Sequence, residues 1–307
     1  MYIVQTIKIA RPVHWFKNFS LFAALIFSGN LFDSILITRV VLAFLSFGLA
    51  SSATYIFNDI ADAERDRFHP IKKERPIAAR KLPIYFAVIV MLFFVIISLY
   101  IAAGLNTLFL MSVSAYLSIQ ALYSLGLKNL PVIDILIIAT GFILRVYAGA
   151  FVIDAHLSVW FLLCVISVAL FLASGKRRAE LGVLPEGNTR VSLTKYKKDL
   201  LNSYVTMFGN AAWMSWALFT FFESPTPITR VWILLAEISR TTAISKLLMV
   251  TIPVVIYGIM RYQALIFENR SEAPEKLFLT DKELVGSAIL WIGLVVWILY
   301  GGVTRLG

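Results

Sequence analysis

A chain of 307 residues with 59% apolar side chains and a mean hydropathy of +0.81 carries more apolar surface than a water-soluble fold hides, since those hold about 45–50%. The surplus has to face lipid, which excludes a soluble globular enzyme. The net charge of +10 does not point to nucleic acid, because its distribution follows the membrane.

Residues 1–18 (MYIVQTIKIARPVHWFKN) are amphipathic and basic. They lack a long apolar core ending in a small-residue cleavage site, so they read as a helix lying on the membrane surface rather than as a targeting sequence. Nine predicted spans follow: Phe19–Leu31, Leu36–Phe57, Leu82–Ala102, Leu105–Leu125, Val132–Ile153, Leu157–Ser174, Leu201–Phe222, Lys246–Phe267 and Leu284–Tyr300. Backbone groups in lipid must be satisfied within their own segment, so each is expected to be helical. The expected fold is an all-α polytopic membrane protein with residues 1–307 as one domain. Leu82 to Leu125 runs 44 residues without Asp, Glu, Lys, Arg or His. At roughly 20 residues per crossing that is two crossings, with the break expected near Gly104 and Asn106.

With the N-terminus in the cytoplasm, 22 of the 28 Lys and Arg fall on the cytoplasmic side. Arg39, Arg230, Arg240, Lys246 and Arg305 fall opposite, and Arg145 lies within a span. This is a strong positive-inside bias, and the expected location is the plasma (inner) membrane. The single Cys164 forms no internal disulfide. No repeat of 20–50 residues marks a duplicated transporter. The oligomeric state stays open, a homo-oligomer included.

Two cytoplasmic loops, 58–81 and 175–200, each hold seven basic residues, yet the first also holds five acids. It opens Asn58-Asp59-Ile60-Ala61-Asp62-Ala63-Glu64-Arg65-Asp66. Asn58, Asp62 and Asp66 are spaced i, i+4, i+8, which on a helix aligns their oxygens on one face. Hard oxygen ligands at that density suit Mg²⁺, which takes one or two carboxylates and completes its shell with substrate phosphates. The plainer alternative is a solvated helix end whose acids pair with Arg65, Arg67, Lys72 and Lys73. The stretch His69-Pro70-Ile71-Lys72-Lys73-Glu74-Arg75-Pro76 favours the metal, because it adds cations to hold a phosphorylated substrate. Metal and cations together would stabilise a departing diphosphate.

Asn58-Asp59-x-x-Asp62-x-x-x-Asp66 at the end of a second span, followed by Arg75-Pro76-Ile77-Ala78, resembles the first aspartate-rich motif of the UbiA superfamily of intramembrane prenyltransferases. Further segments are Arg11-Pro12-x-x-Trp15-x-Lys17-Asn18, Tyr123-Ser124-x-x-Leu127-Lys128, Asp134, Gly141-Phe142-x-x-Arg145, Gly175-Lys176-Arg177-Arg178-x-Glu180-Leu181 and Arg261-Tyr262. Together they resemble the branch typified by decaprenyl-phosphate phosphoribosyltransferase. The resemblance implies a nine-helix fold open laterally to lipid, with Mg²⁺ held by Asn58, Asp59, Asp62 and Asp66. It implies catalytic roles for Asp62, Asp66 and Asp134, and substrate contacts from Lys17, Asn18, Arg75, Tyr123, Lys128, Arg145, Lys176, Arg177 and Glu180. The second D-x-x-x-D motif of prenyltransferases is broken, since Ile138 stands four residues after Asp134. That departure fits a donor such as phosphoribosyl pyrophosphate and a polyprenyl phosphate acceptor, rather than a prenyl diphosphate.

Each of these residues also has a structural reading. Lys17 can snorkel to headgroups, Lys128 and Asp134 can pair with each other, and Arg145 can hold helices together. Lys176, Arg177 and Arg178 can serve topology, with Glu180 as partner. His14, His69 and His156 are dispersed and show no metal spacing. No G-x-x-x-x-G-K-[ST] loop or G-x-S-x-G elbow occurs. The expected reaction is transfer of a 5-phosphoribosyl group to polyprenyl phosphate. An aromatic prenyltransferase using a polyprenyl diphosphate is the enzyme alternative. A transporter would need polar residues deep in several spans, where Arg145 is the chief example.

Overall fold

The computed structural model describes residues 2–68, 72–183, 195–223, 244–268, 277 and 280–301. Residues 69–71 of the basic segment and 184–194 of the second large loop lie outside them. The described residues are helical apart from short connecting turns, and no strand occurs among them. Seven helices among them are long and apolar enough to cross a membrane: Ser34–Ala61, Ile84–Leu105, Thr107–Leu125, Ile133–Val152, Val159–Leu181, Lys246–Phe267 and Lys282–Tyr300.

Nine crossings were expected, and the two that differ do so for physical reasons. Phe19–Leu31 is too short to span: a 3-10 segment Pro12–Phe22 runs into a five-residue helix, Ala23–Phe27. Leu201–Phe222 is realised as the 25-residue helix Lys198–Phe222, long enough to span, but Asn202, Ser203, Thr206 and Asn210 dilute its hydropathy.

The chain packs as two compact units. The first contains α1 (Tyr2–Ala10), the 3-10 segment Pro12–Phe22, α3 (Ser34–Ala61), α4 (Ala63–Asp66), α5 (Ile84–Leu105), α6 (Thr107–Leu125) and α7 (Ile133–Val152); α2 (Ala23–Phe27) falls at the boundary. Asp33 starts α3 by accepting from the N–H groups of Ile35 and Leu36 at 2.8 and 3.0 Å, a side-chain N-cap. At 28 residues α3 is about 42 Å long, more than a bilayer core requires, so its end projects beyond the hydrocarbon. The break between α5 and α6 falls where expected: Asn106 caps α6 by accepting from Phe109 N–H at 2.7 Å.

Interior and lipid faces are inverted relative to a soluble bundle. On α5 the small Ala87, Ser98 and Ala102 are buried, while Ile89, Phe93, Ile96 and Tyr100 face outward. Close approach is locked by reciprocal hydrogen bonds, Ser46 Oγ to Ser98 carbonyl at 2.9 Å and Ser98 Oγ to Ser46 carbonyl at 2.8 Å, in the manner of small-residue membrane interfaces. The segment Pro12–Phe22 is pressed between α3 and α7. At Gly48 an added Cβ would meet the Trp15 ring at 2.8 Å, and at Gly149 it would collide with the Leu21 carbonyl.

The second unit contains α8 (Val159–Val183), α9 (Lys198–Phe222), the 3-10 segment Ile244–Thr251, α10 (Ile252–Phe267) and α11 (Lys282–Tyr300). Phe171, Val205, Tyr262, Leu265, Ile266 and Leu284 form its core. Trp216 Nε1 donates to Thr251 Oγ1 at 3.0 Å.

Candidate active site

The acidic motif sits at the C-terminal end of α3. The helix does not run on to Asp66: it stops at Asp62 (φ −95°, ψ 0°), and a separate turn, α4, follows. One continuous face from Asn58 to Asp66 was expected. The break sorts the four side chains into two groups instead.

Asn58 and Asp62 form the first group. Lys128, from the turn between α6 and α7, reaches across 66 residues of sequence and donates to Asp62 Oδ1 at 2.6 Å and to Asn58 Oδ1 at 3.3 Å. The ammonium is 4% exposed. Lys128 therefore faces the motif rather than Asp134, which corrects the alternative of a Lys128–Asp134 pair. Asp134 is fully buried in the first turn of α7, where its Oδ1 accepts from Ile135 N–H at 2.9 Å.

Asp59 and Asp66 form the second group, bridged by Arg75. Its Nη1 lies 3.0 Å from Asp59 Oδ1 and 2.6 Å from Asp66 Oδ2. Arg11 closes the network from the far side, its Nη2 donating to both Asp59 oxygens at 2.6 and 2.7 Å. Arg11 was not among the expected site residues. Its backbone is left-handed (φ 49°, ψ 57°), a conformation that costs energy in a non-glycine residue and clusters at functional sites. The Arg11-Pro12 step marks a helix break in the sequence, since α geometry is disfavoured before proline, but it does not foretell the left-handed turn. Three carboxylates thus meet three cations, Arg11 and Lys128 from 48 and 66 residues away and Arg75 from nine beyond Asp66.

Deeper in the same unit, Arg145 on α7 donates to Asn18 Oδ1 at 2.6 Å, to Ser51 Oγ and Tyr116 Oη at 3.0 Å each, and to the Gly141 carbonyl. Lys17 precedes Asn18 on the same 3-10 segment, and Tyr123 is half-buried near the end of α6. Lys176, Arg177 and Glu180 belong to α8 in the second unit. There Arg177 is buried and bonds Glu180, as the topology reading anticipated, and Arg178 Nε donates to Asn202 Oδ1 at 2.6 Å.

The donors fit a hard divalent cation in one particular way. No three His, Cys, Asp or Glu side chains among the described residues gather as a self-sufficient metal cage. Mg²⁺ does not need one, because it is commonly held by one or two carboxylates and substrate phosphates. Asn58 and Asp62 already converge on a positive group, and Asp62 keeps contact with solvent, its side chain 15% exposed.

The UbiA prenyltransferase family model matches residues 18–177, a stretch that contains both aspartate groups, Lys128, Asp134 and Arg145. A decaprenyl-phosphate phosphoribosyltransferase of Corynebacterium glutamicum is 34% identical, the alignment covering 96% of this chain and 86% of that protein. The protein of the same name from Mycolicibacterium smegmatis is 33% identical over 94% of this chain and 90% of its own length. Among solved structures, a UbiA homologue from Archaeoglobus fulgidus bound to GPP and Mg²⁺ has a TM-score of 0.68 at 19% identity, covering 96% of this chain and 98% of that one, a likeness of fold. With the motif, the helical architecture and relatives matched along nearly their whole length, this integral membrane protein belongs to the UbiA prenyltransferase family.

Proposed function

We propose that this chain transfers a 5-phosphoribosyl group from phosphoribosyl pyrophosphate to a polyprenyl phosphate of decaprenyl type. The observation that carries the reading is the convergence of Asn58, Asp62 and Lys128 on one spot beside an α7 that offers Asp134 but only Ile138 four residues on. One diphosphate-binding motif is intact, and the partner motif of a prenyl diphosphate enzyme is not. The names of the relatives support the same reaction.

Asn58 and Asp62 would hold Mg²⁺, with Asp66 and Asp59 completing or steadying that set. Bound there, the ion would neutralise charge building on the departing diphosphate. Lys128, already directed at Asp62, would remain close enough to bind phosphate oxygen, and Arg75 would fix Asp59 and Asp66 in place. As the C1–diphosphate bond breaks, the sugar carbon gains oxocarbenium character and a lipid phosphate oxygen forms the new bond. The acceptor is a phosphate monoester, anionic near neutral pH, so no general base is required. Asp134 and Tyr123 would border the site. Lys17 would contact phosphate, as would Lys176, with Arg177 and Glu180 holding its helix. Residues 1–307 would act as one catalytic domain of the plasma membrane, with site and N-terminus cytoplasmic.

The test is transfer of label from radiolabelled phosphoribosyl pyrophosphate to organic-extractable lipid by purified protein given polyprenyl phosphate and Mg²⁺. Label should appear, and should vanish with EDTA and in Asp62→Ala and Asp66→Ala. Alkylation of an aromatic acid by a polyprenyl diphosphate, with no label moved, would replace this reading by aromatic prenyl transfer.

A further inference from the structure

Among the described residues, no acid pairs with the guanidinium of Arg145. It is 4% exposed, and its hydrogen-bond partners among the described residues are all neutral oxygens, those of Asn18, Gly141, Ser51 and Tyr116. The rings of Tyr116 and Phe47 shield its faces, with centroids 4.7 and 5.6 Å away. An uncompensated cation inside a membrane span is costly, and such residues mark function.

Asn18 gives a second, independent observation. It is fully buried, and its Oδ1 accepts from Arg145 Nε. A guanidinium only donates, so this bond fixes which way the amide points. Its Nδ2 then has no acceptor among the described residues. Leaving a buried donor unmet is costly, and here the cost falls beside an unmet positive charge.

A third observation ties the pair to the acidic motif. Ser51, which binds Arg145, precedes Asn58 by seven residues on α3, two helical turns or about 10 Å along one face. Thr54 continues the polar stripe between them, its Oγ1 donating to the Ser51 carbonyl at 2.8 Å.

We propose that Asn18 and Arg145 form an oxyanion subsite for a phosphate monoester group of a substrate, about two helical turns below the diphosphate position along α3. Asn18 Nδ2 donates to a phosphate oxygen. Arg145 is a positioning residue, holding the amide and supplying the neutralising charge through it. A hydroxyl ligand would satisfy Nδ2 but leave the guanidinium uncompensated, so the ligand is an anion. On the function proposed above, on which this rests, two groups have that chemistry: the sugar donor's 5-phosphate and the lipid acceptor's monophosphate.

Asn18→Asp tests this directly. It keeps Oδ1 for Arg145, deletes the Nδ2 donor and supplies the missing counter-charge itself. Full-length protein in nanodiscs would be measured for unfolding temperature and, by calorimetry, for binding of ribose 5-phosphate, a short-chain polyprenyl monophosphate, and pyrophosphate with Mg²⁺. The variant should unfold at a higher temperature, bind pyrophosphate within twofold of the parent, and lose at least tenfold in Kd for one monoester, which identifies the source. A purely structural role would raise the unfolding temperature and leave both monoesters bound as before, which overturns the subsite. A lowered unfolding temperature would overturn the uncompensated charge. Arg145→Lys is the second variant: it keeps the charge, cannot hold the four acceptors together, and should weaken the same monoester tenfold. Unchanged binding there also overturns the proposal. Failure of the parent protein to bind pyrophosphate would defeat the reading of function, and the monoester arms would still judge the subsite.

Discussion

The Lys128 ammonium lies 2.6 Å from Asp62 Oδ1, bringing the α6–α7 turn onto the end of α3. The pair is largely shielded from water, so its charges interact more strongly than a surface pair would. Lys128→Met strands Asp62 without its cation and removes a positive group from the position assigned to phosphate. Phosphoribosyl transfer should fall at least 100-fold in kcat/KM, about 2.7 kcal/mol of lost transition-state binding. Lys128→Arg should recover part of it. A Lys128→Met enzyme within threefold of the parent in the radiolabel assay would remove Lys128 from the chemistry.

Arg11 and Arg75 share one carboxylate, Asp59, which is 2% exposed. Either arginine can shield Asp59 when the other is lost, so Arg11→Gln should be mild and Arg75→Gln should cost chiefly its bond to Asp66. Losing both leaves a buried carboxylate unpaired, the costly case. The double variant should therefore destabilise by more than the sum of the singles, with a coupling of at least about 0.5 kcal/mol. Chemical denaturation of all four proteins measures it. Simple additivity would show that the two guanidinium groups do not cooperate through Asp59.

Much of this was legible in the sequence. The span pattern, the α5–α6 break at Gly104–Asn106 and the acidic motif follow from hydropathy and spacing, which depend on near neighbours. The partners of the acids do not. Arg65, Arg67, Lys72 and Lys73 stand next to the motif and were the natural candidates, yet Asp59, Asp62 and Asp66 bind Arg11, Arg75 and Lys128. Arg11 reaches Asp59 because its backbone turns left-handed before Pro12, and Lys128 arrives through a turn in which Val132 also takes a positive φ of 68°. These are tertiary choices with no periodicity to betray them. The stop of α3 at Asp62 escaped for the same reason, since nothing in Asn58–Asp66 is a proline or glycine. The greasy run after Phe19 imitated a span because hydropathy does not register that Gly149 admits Leu21 into the bundle, as Gly48 admits Trp15 just before the run.

Gly149 and Gly104 give a contrast in packing. A Cβ at Gly149 would strike the Leu21 backbone, which cannot yield as a side-chain tip does. Gly149→Ala should destabilise by about 1–3 kcal/mol or more and displace the segment that carries Lys17 and Asn18. A Cβ at Gly104, within α5, meets nothing within 4 Å, so Gly104→Ala should be neutral or stabilise by about 0.5–1 kcal/mol through helix propensity. Unfolding temperatures in detergent should move in opposite directions. Equal gains would mean that propensity rather than packing governs both sites.

Asp281 offers a stability test in acid, away from the proposed chemistry. Arg261 donates to it at 2.7 and 3.1 Å, and Leu284 N–H at 2.9 Å as it caps α11. The Arg261 hydrogen bonds, aided by that backbone bond, hold its carboxyl below the ordinary aspartate range. A carboxyl more acidic in the folded chain than in the unfolded one is protonated first in the unfolded chain as pH falls. Its stabilisation is therefore fully present above the unfolded value of about 3.9 and disappears as pH drops through the lower folded value. Asn caps helices about as well as Asp, so Asp281→Asn removes the charge and keeps the cap. The parent should exceed the variant in stability at pH 6, and the difference should shrink by pH 3. A difference that stays constant across that range in denaturation curves would show that the Arg261–Asp281 pair contributes nothing that depends on ionisation.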